Sequence, residues 1–216
     1  MTTDIALECA EILLKTGAVA ANIAEPFTLT SGKKSPVYTD CRRLISYPTE
    51  RSRLMDLGAD MLRTNIAQID AVAGGETAGI PYAAFLAERL NISMLYVRKK
   101  PKGFGRMAQI EGHLQDGQHV VLIEDLQTDG GSKKVFIDAL RDAGAIVEHA
   151  FVVFHYGIFP QSEVNMRDWG VKLHALTTWH EVLKVAEEKN YFNKETLAQV
   201  KQFLDNPTQW QENYAA

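Results

Sequence analysis

The strongest constraint on how this chain folds is a repeated alternation of short apolar runs, glycine-rich turns and helical stretches. DAVAGG (70–75), SMLYV (93–97), HVVLIED (119–125) and the longer AIVEHAFVVF (145–154) are too short for core helices and mostly apolar along their length. Runs of that kind mark strands covered on both faces, as in a parallel sheet whose crossover helices pack above and below it. Helical periodicity fills the gaps, over about 49–66, from the glycines at 74 and 75 to about Leu90, and through KVFIDALRDAG (134–144). The pattern predicts an α/β fold, a parallel sheet flanked by helices. Ligands of such sheets sit in the crevice beyond the carboxyl ends of the strands, so the strand-end loops are where chemistry is expected.

At 216 residues, 46% of them hydrophobic, the chain can bury one full core, and a single domain over 1–216 is expected. The 23 Lys+Arg and 27 Asp+Glu leave a formal charge of −4. That balance gives no general attraction for nucleic acid or an anionic membrane, so any anion site must be local. Cys9 and Cys41 are too few and too unpatterned for a disulfide framework or a zinc site, which favours a reducing, cytoplasmic location. Cys41 reads as a packing residue, with no histidine nearby to make a Cys-His pair. MTTDIALECAEILLKTGAV reads as an amphipathic helix carrying Ile5, Leu7, Ile12 and Leu13 rather than a targeting segment. No run approaches the roughly 18 apolar residues that a membrane span needs. FTLTSGKKSPVYTD (27–40) is strand-like around a Ser-Gly turn. The tail from about 178 is helical and ends in a polar stretch around Pro207, expected to pack on the surface. The histidines lack metal-ligand spacing; His174 and His180 flank a strand-to-helix junction and read as structural, and Trp179 as core.

VVLIEDLQTDGGSKK (120–134) runs from an apolar strand into two adjacent acids and then a Gly-Gly-Ser turn that opens a helix. In that setting the backbone N–H groups of Thr128 to Ser132, the hydroxyls of Thr128 and Ser132 and the helix dipole can converge on one phosphate. Taken alone, TxGGS is equally an ordinary strand-to-helix turn with Ser132 as its cap. Glu124 and Asp125 shift the balance, since neighbouring carboxylates at a buried strand end repel and need a partner such as ribose hydroxyls or Mg2+. Asp129, inside the turn, is expected to point outward to solvent or to Lys133. GGETAGIP (74–81) lacks the Lys and Ser/Thr of a Walker A loop, and GFGRMA (103–108) does not open a helix as a dinucleotide fingerprint would. VRKKPKGFGRMAQIEG (97–112) gathers Arg98, Lys99, Lys100, Lys102 and Arg106 around Pro101 and two glycines. A solvated charge run is the bland reading; beside the acidic phosphate turn, it reads as a lid that closes over pyrophosphate.

These stretches carry a family resemblance. EDLQTDGGS resembles the phosphoribosyl-pyrophosphate (PRPP) motif of type I phosphoribosyltransferases, and FTLTSGKKSPVY with the basic loop is similar to the orotate phosphoribosyltransferase family. The order SGxKSP, GGETAGIP, RKKPKG, QIEG and PRPP motif covers most of the chain. The resemblance implies a small N-terminal hood, from about residues 1–45, over the base site. It also implies transfer of 5-phosphoribosyl from PRPP to orotate, giving orotidine 5′-monophosphate and pyrophosphate in de novo UMP synthesis. Mg2+ would be carried mainly by PRPP rather than by protein ligands. PRPP binding falls by resemblance to Arg98, Lys99, Lys102, Glu124, Asp125, Leu126, Gln127, Thr128, Asp129, Gly130, Gly131 and Ser132. Glu124 and Asp125 would hold the ribose hydroxyls and Thr128 to Ser132 the 5-phosphate; Lys102, Asp125 and Glu124 are the catalytic candidates.

The carboxylate of orotate wants a cation or amide donors, and Thr128, Arg42 and Lys34 are the candidates, with Lys33 and Arg43 in the same segment. The resemblance further implies a homodimer in which the basic loop reaches across the interface. Phe104 stands where many members have a histidine, Arg106 where some have an acid, and Thr30 and Ala78 where some have lysines. A phosphoribosyltransferase for purines or another base, or a non-catalytic PRPP or nucleotide sensor of the same fold, is the alternative. SGKKSP argues against the first and the retained Arg98, Lys99 and Lys102 against the second.

Overall fold

The computed structural model describes residues 3–29, 32, 34–103 and 109–215. The chain begins with α1 (Thr3–Lys15), followed by short strands β1 (Val19–Ala21), β2 (Phe27–Thr28), β3 (Lys34–Ser35) and β4 (Val37–Thr39) and a 3-10 turn at Cys41–Ser46. The alternating body comprises α2 (Pro48–Asn65), β5 (Ala71–Gly75), α3 (Gly79–Leu90), β6 (Ser93–Val97), β7 (Ile110–Glu111), β8 (His119–Gln127), α4 (Lys133–Asp142), β9 (Ile146–His155), α5 (Pro160–Asp168) and β10 (Lys172–Thr178). It closes with α6 (Trp179–Glu188), α7 (Lys194–Asp205) and α8 (Pro207–Ala215).

Local chemistry sets several of these boundaries. Pro48 and Pro160 start α2 and α5, where a missing N–H is no loss. Asn91 ends α3 in the left-handed conformation that asparagine tolerates. Thr178 and Glu181 close a capping box at the start of α6. The six strands β10-β9-β8-β5-β6-β7 form one sheet, parallel throughout except for β7, which pairs antiparallel with β6 at the edge.

Successive residues of β8 face opposite layers. Val121 and Ile123 join Leu54, Tyr82, Phe151 and Trp179 on one side, while Val120 and Leu122 join Ile137, Leu140, Val147 and Met166 on the other. This is the two-sided burial that the apolar runs predicted. Cys41 and Trp179 are fully buried in the first layer, as expected, and burial pushes the Cys41 thiol well above its ordinary value, against any nucleophilic role. His174 is buried against His149, at 3.1 Å between ring nitrogens, in the structural setting expected of it.

Some features depart from the sequence reading. The segment expected to form the hood divides in two. Helix α1 packs on α6 and β10 as part of the main core, and the hairpins β1–β4 and β2–β3 stand apart from the six-stranded sheet. Helix α5 was not foreseen, and the polar tail around Pro207 is helix α8, whose Trp210 is buried against Phe203.

Candidate active site

Strands β5 and β8 are central neighbours, so the turns at their carboxyl ends meet in one crevice. Strand β8 ends at Gln127, and the turn over 128–132 delivers the chain to α4. Gly130 sits at φ +83, where a side chain would be strained, and a Cβ there would also press on the Gln127 amide. Ser132 occupies the N-cap position but makes no side-chain capping bond, which leaves its hydroxyl for another acceptor or donor. Asp129 is exposed, as expected, but it does not reach Lys133: its Oδ1 accepts the Gly131 N–H at 3.1 Å.

Helix α5 supports the turn from below. The Asn165 amide donates to the Asp129 carbonyl at 2.9 Å, and the buried Gln127 amide donates to Ser162 Oγ at 2.6 Å. Ser162 Oγ in turn lies 2.9 Å from His155 Nε2, with the proton's position set by the tautomer. Burial pulls the His155 imidazole below its ordinary value, and nearby Lys133 adds to that shift.

The two acids are held differently. Asp125 is 8% exposed; burial raises its carboxyl, while the backbone N–H of Leu126 and the charge of Lys133 oppose that shift. The Glu124 carboxyl is pushed up to about 7, chiefly by burial, against the attraction of Lys133 and Lys99. Its Oε1 is buried without a hydrogen-bond partner and lies against the β5–α3 turn, so that a Cβ on Gly75 would stand 1.9 Å from it. A carboxylate oxygen without a partner at the end of a central strand is an open acceptor for a ligand hydroxyl. Lys133, absent from the sequence-based candidates, is 1% exposed and donates from Nζ to the Leu126 carbonyl at 3.0 Å.

Beyond the turn lies a cavity of about 650 Å3. Its walls come from Thr28, Leu29 and Tyr38 of the N-terminal hairpins, Thr128 and Asp129 of the turn, Tyr156 and Phe159 to Gln161 after β9, and Pro207, Thr208 and Gln211 of α8. Thr128 therefore belongs both to the turn over 128–132 and to this chamber. The Lys34 ammonium donates to Thr28 Oγ1 at 2.9 Å, beside the chamber. Arg42 is not among the lining residues; its guanidinium pairs with Asp40 at 2.8 Å and adds its charge near Asp125.

The basic loop is anchored at its base. Arg98 exchanges backbone and side-chain hydrogen bonds with Gln109 and pairs with Glu111 at 3.4 Å, while the Lys99 N–H donates to Glu76 Oε2 at 2.7 Å. Lys102 is exposed further along. Phe104, Arg106, Thr30 and Lys33 lie outside the described residues.

Comparison with known proteins places this arrangement. The model of the phosphoribosyl transferase domain matches residues 51–188. An orotate phosphoribosyltransferase of Agrobacterium fabrum is 53% identical over 210 residues, 96% of this chain and 90% of that relative. The chain belongs to the orotate phosphoribosyltransferase family. Among solved structures, an orotate phosphoribosyltransferase from Aeropyrum pernix superposes with a TM-score of 0.71 at 34% identity, covering 85% of this chain and 99% of that one. The UMP synthase of Leishmania donovani gives 0.79 at 30% identity over 92% of this chain, which spans 42% of the synthase.

Membership in the orotate phosphoribosyltransferase family agrees with the motif order and with the α/β sheet expected from the apolar runs. The sequence reading missed Lys133, the Gln127–Ser162–His155 chain and the contribution of α8. Gln127 and Lys133 lay in a stretch already singled out, but Gln127 only as part of the phosphate motif and Lys133 only as a possible partner of Asp129.

Proposed function

We propose that this chain transfers the 5-phosphoribosyl group of PRPP to N1 of orotate, releasing pyrophosphate and forming orotidine 5′-monophosphate in de novo UMP synthesis. The observation that carries the reading is Thr128, shared between the anion turn and the chamber under the hairpins, because the reaction needs a ribose phosphate and a base held side by side. In this reading Thr128 to Ser132 cradle the 5-phosphate through N–H groups and hydroxyls, and Leu126 and Gln127 carry the strand into the turn. Glu124 and Asp125 accept the ribose hydroxyls, and their charge favours the oxocarbenium character that develops at C1 as the bond to the pyrophosphate oxygen breaks. N1 then bonds to C1 and gives up its proton, which passes to the departing pyrophosphate or to solvent. Arg98, Lys99 and Lys102 meet the charge on the departing pyrophosphate.

Mg2+ bound to PRPP supplies further neutralisation of that leaving group. The unpartnered Glu124 Oε1 and the adjacent Asp125 suit a ligand that arrives with hydroxyls and a cation, without requiring the protein to provide a full coordination shell. Lys34, beside Thr28, is the better placed cation for the orotate carboxylate, and Arg42 acts closer to the acids. The protein is a homodimer that shares the basic loop between subunits, and it works in the cytoplasm.

The test is an assay of pyrophosphate release with PRPP, Mg2+ and a panel of bases. Orotate is consumed, and adenine, hypoxanthine and uracil are inert. Turnover of a purine with orotate inert overturns the base assignment, and no turnover with any base returns the chain to the class of sensors.

A further inference from the structure

We propose that Lys133 is a positioning residue of the PRPP site, a cation sealed beneath the phosphate turn that fixes the Leu126 carbonyl and holds Glu124 and Asp125 ready to accept hydroxyls. The proposal rests on the reading that this turn binds PRPP.

Lysine is almost never fully buried unless something compensates its charge. Lys133 is 1% exposed and stands at the first position of α4, where the helix dipole is positive and disfavours a cation. Two unfavourable terms thus act on one side chain. Its ammonium donates to the Leu126 carbonyl at 3.0 Å, a bond that runs from the start of α4 back under the turn to the strand that feeds it. The charged groups that act on it are Glu124 and Asp125 on β8 and Asp129 in the turn, while Lys133 itself acts on His155 on β9. Lys99, in the loop after β6, also acts on Glu124.

The direction of the hydrogen bond matters. Because Nζ bonds a carbonyl, Glu124 Oε1 stays unpartnered while the acids share the lysine's field. A direct ion pair would occupy the carboxylate oxygens that the ribose needs. A lysine reserved for packing has no such requirement; a buried ion pair is commonly replaced whole by apolar side chains without loss, whereas removal of one partner strands the other.

Lys133→Met and Lys133→Gln separate these roles, since the glutamine keeps a donor but not the charge. Both should raise KM for PRPP by about ten- to a hundredfold, the scale of losing one desolvated opposite charge, with KM for orotate within about twofold. Both should also move the acid limb of kcat/KM for PRPP to higher pH, because Glu124 and Asp125 lose the charge that favours their ionised forms. Folded variants with unchanged PRPP kinetics and an unmoved limb overturn the proposal, as does a glutamine variant indistinguishable from the native protein. If the methionine variant does not fold, Lys133→Met combined with Glu124→Gln should recover folding, since the stranded charge is removed with its partner. Failure of the double variant to recover it overturns the pairing. This stability comparison needs no catalysis, so it separates failure of the lysine's role from failure of the functional reading, which appears as a native protein that does not consume orotate.

Discussion

Glu124 shows how one side chain can set a pH dependence. Its carboxyl is raised from 4.5 to about 7, chiefly by burial, so the free protein favours the protonated form only below about that pH. The stability this contributes is complete below pH 4.5 and is lost as pH rises through about 7. Ribose hydroxyls donate to the ionised form, so binding opposes the shift. The rise in Tm produced by PRPP should therefore grow between pH 6 and 8 in the native protein by more than it does in Glu124→Gln. Equal growth in the two proteins would mean that Glu124 does not receive the ribose. The acids and glycines at 124–131 were legible in the sequence because a strand end, adjacent carboxylates and a glycine turn are all local patterns. Lys133 was not, since spacing cannot show a side chain folding back beneath the turn to the strand that feeds it.

At the scale of elements, the turn at 128–132 is braced by a helix that held none of the sequence-based candidates. Helix α5 holds the turn through Asn165 to the Asp129 carbonyl and through Ser162 to Gln127. Asn165→Ala should raise KM for PRPP by about two- to tenfold, the effect of one net hydrogen bond of about 0.5–1.5 kcal/mol, with far-UV circular dichroism unchanged. An unchanged KM would show that the turn holds its shape without the helix. The strands of the sheet were readable because continuous burial writes itself into consecutive apolar residues. PQSEVNMRD, the sequence of α5, has no such stripe, and its role is fixed by polar contacts across 35 and 36 positions. Strand β7 is only Ile110–Glu111, too short for periodicity to register.

For the whole molecule, the test is whether the site belongs to one chain or two. Lys102→Ala should lower kcat by about 10²–10³, typical of losing one oriented donor to developing charge, and Asp125→Asn should also be severe. If the loop is shared across a two-fold interface, mixing the two variants under conditions of subunit exchange should restore roughly a quarter of native activity, because about half the dimers are mixed and each holds one intact site. No recovery after demonstrated exchange would place the loop within its own subunit. The chamber beside Thr128 has another origin in chain order. Its walls include Thr28 and Leu29 near the start and Pro207, Thr208 and Gln211 near the end, and Gln211 is tied to the Lys34 carbonyl at 3.1 Å. During synthesis the turn at 128–132 and the sheet beneath it emerge well before α8. A nascent chain can thus possess the turn at 128–132 while the chamber beside it still lacks the wall that α8 supplies, and any ligand that needs that wall must wait for α8 to emerge.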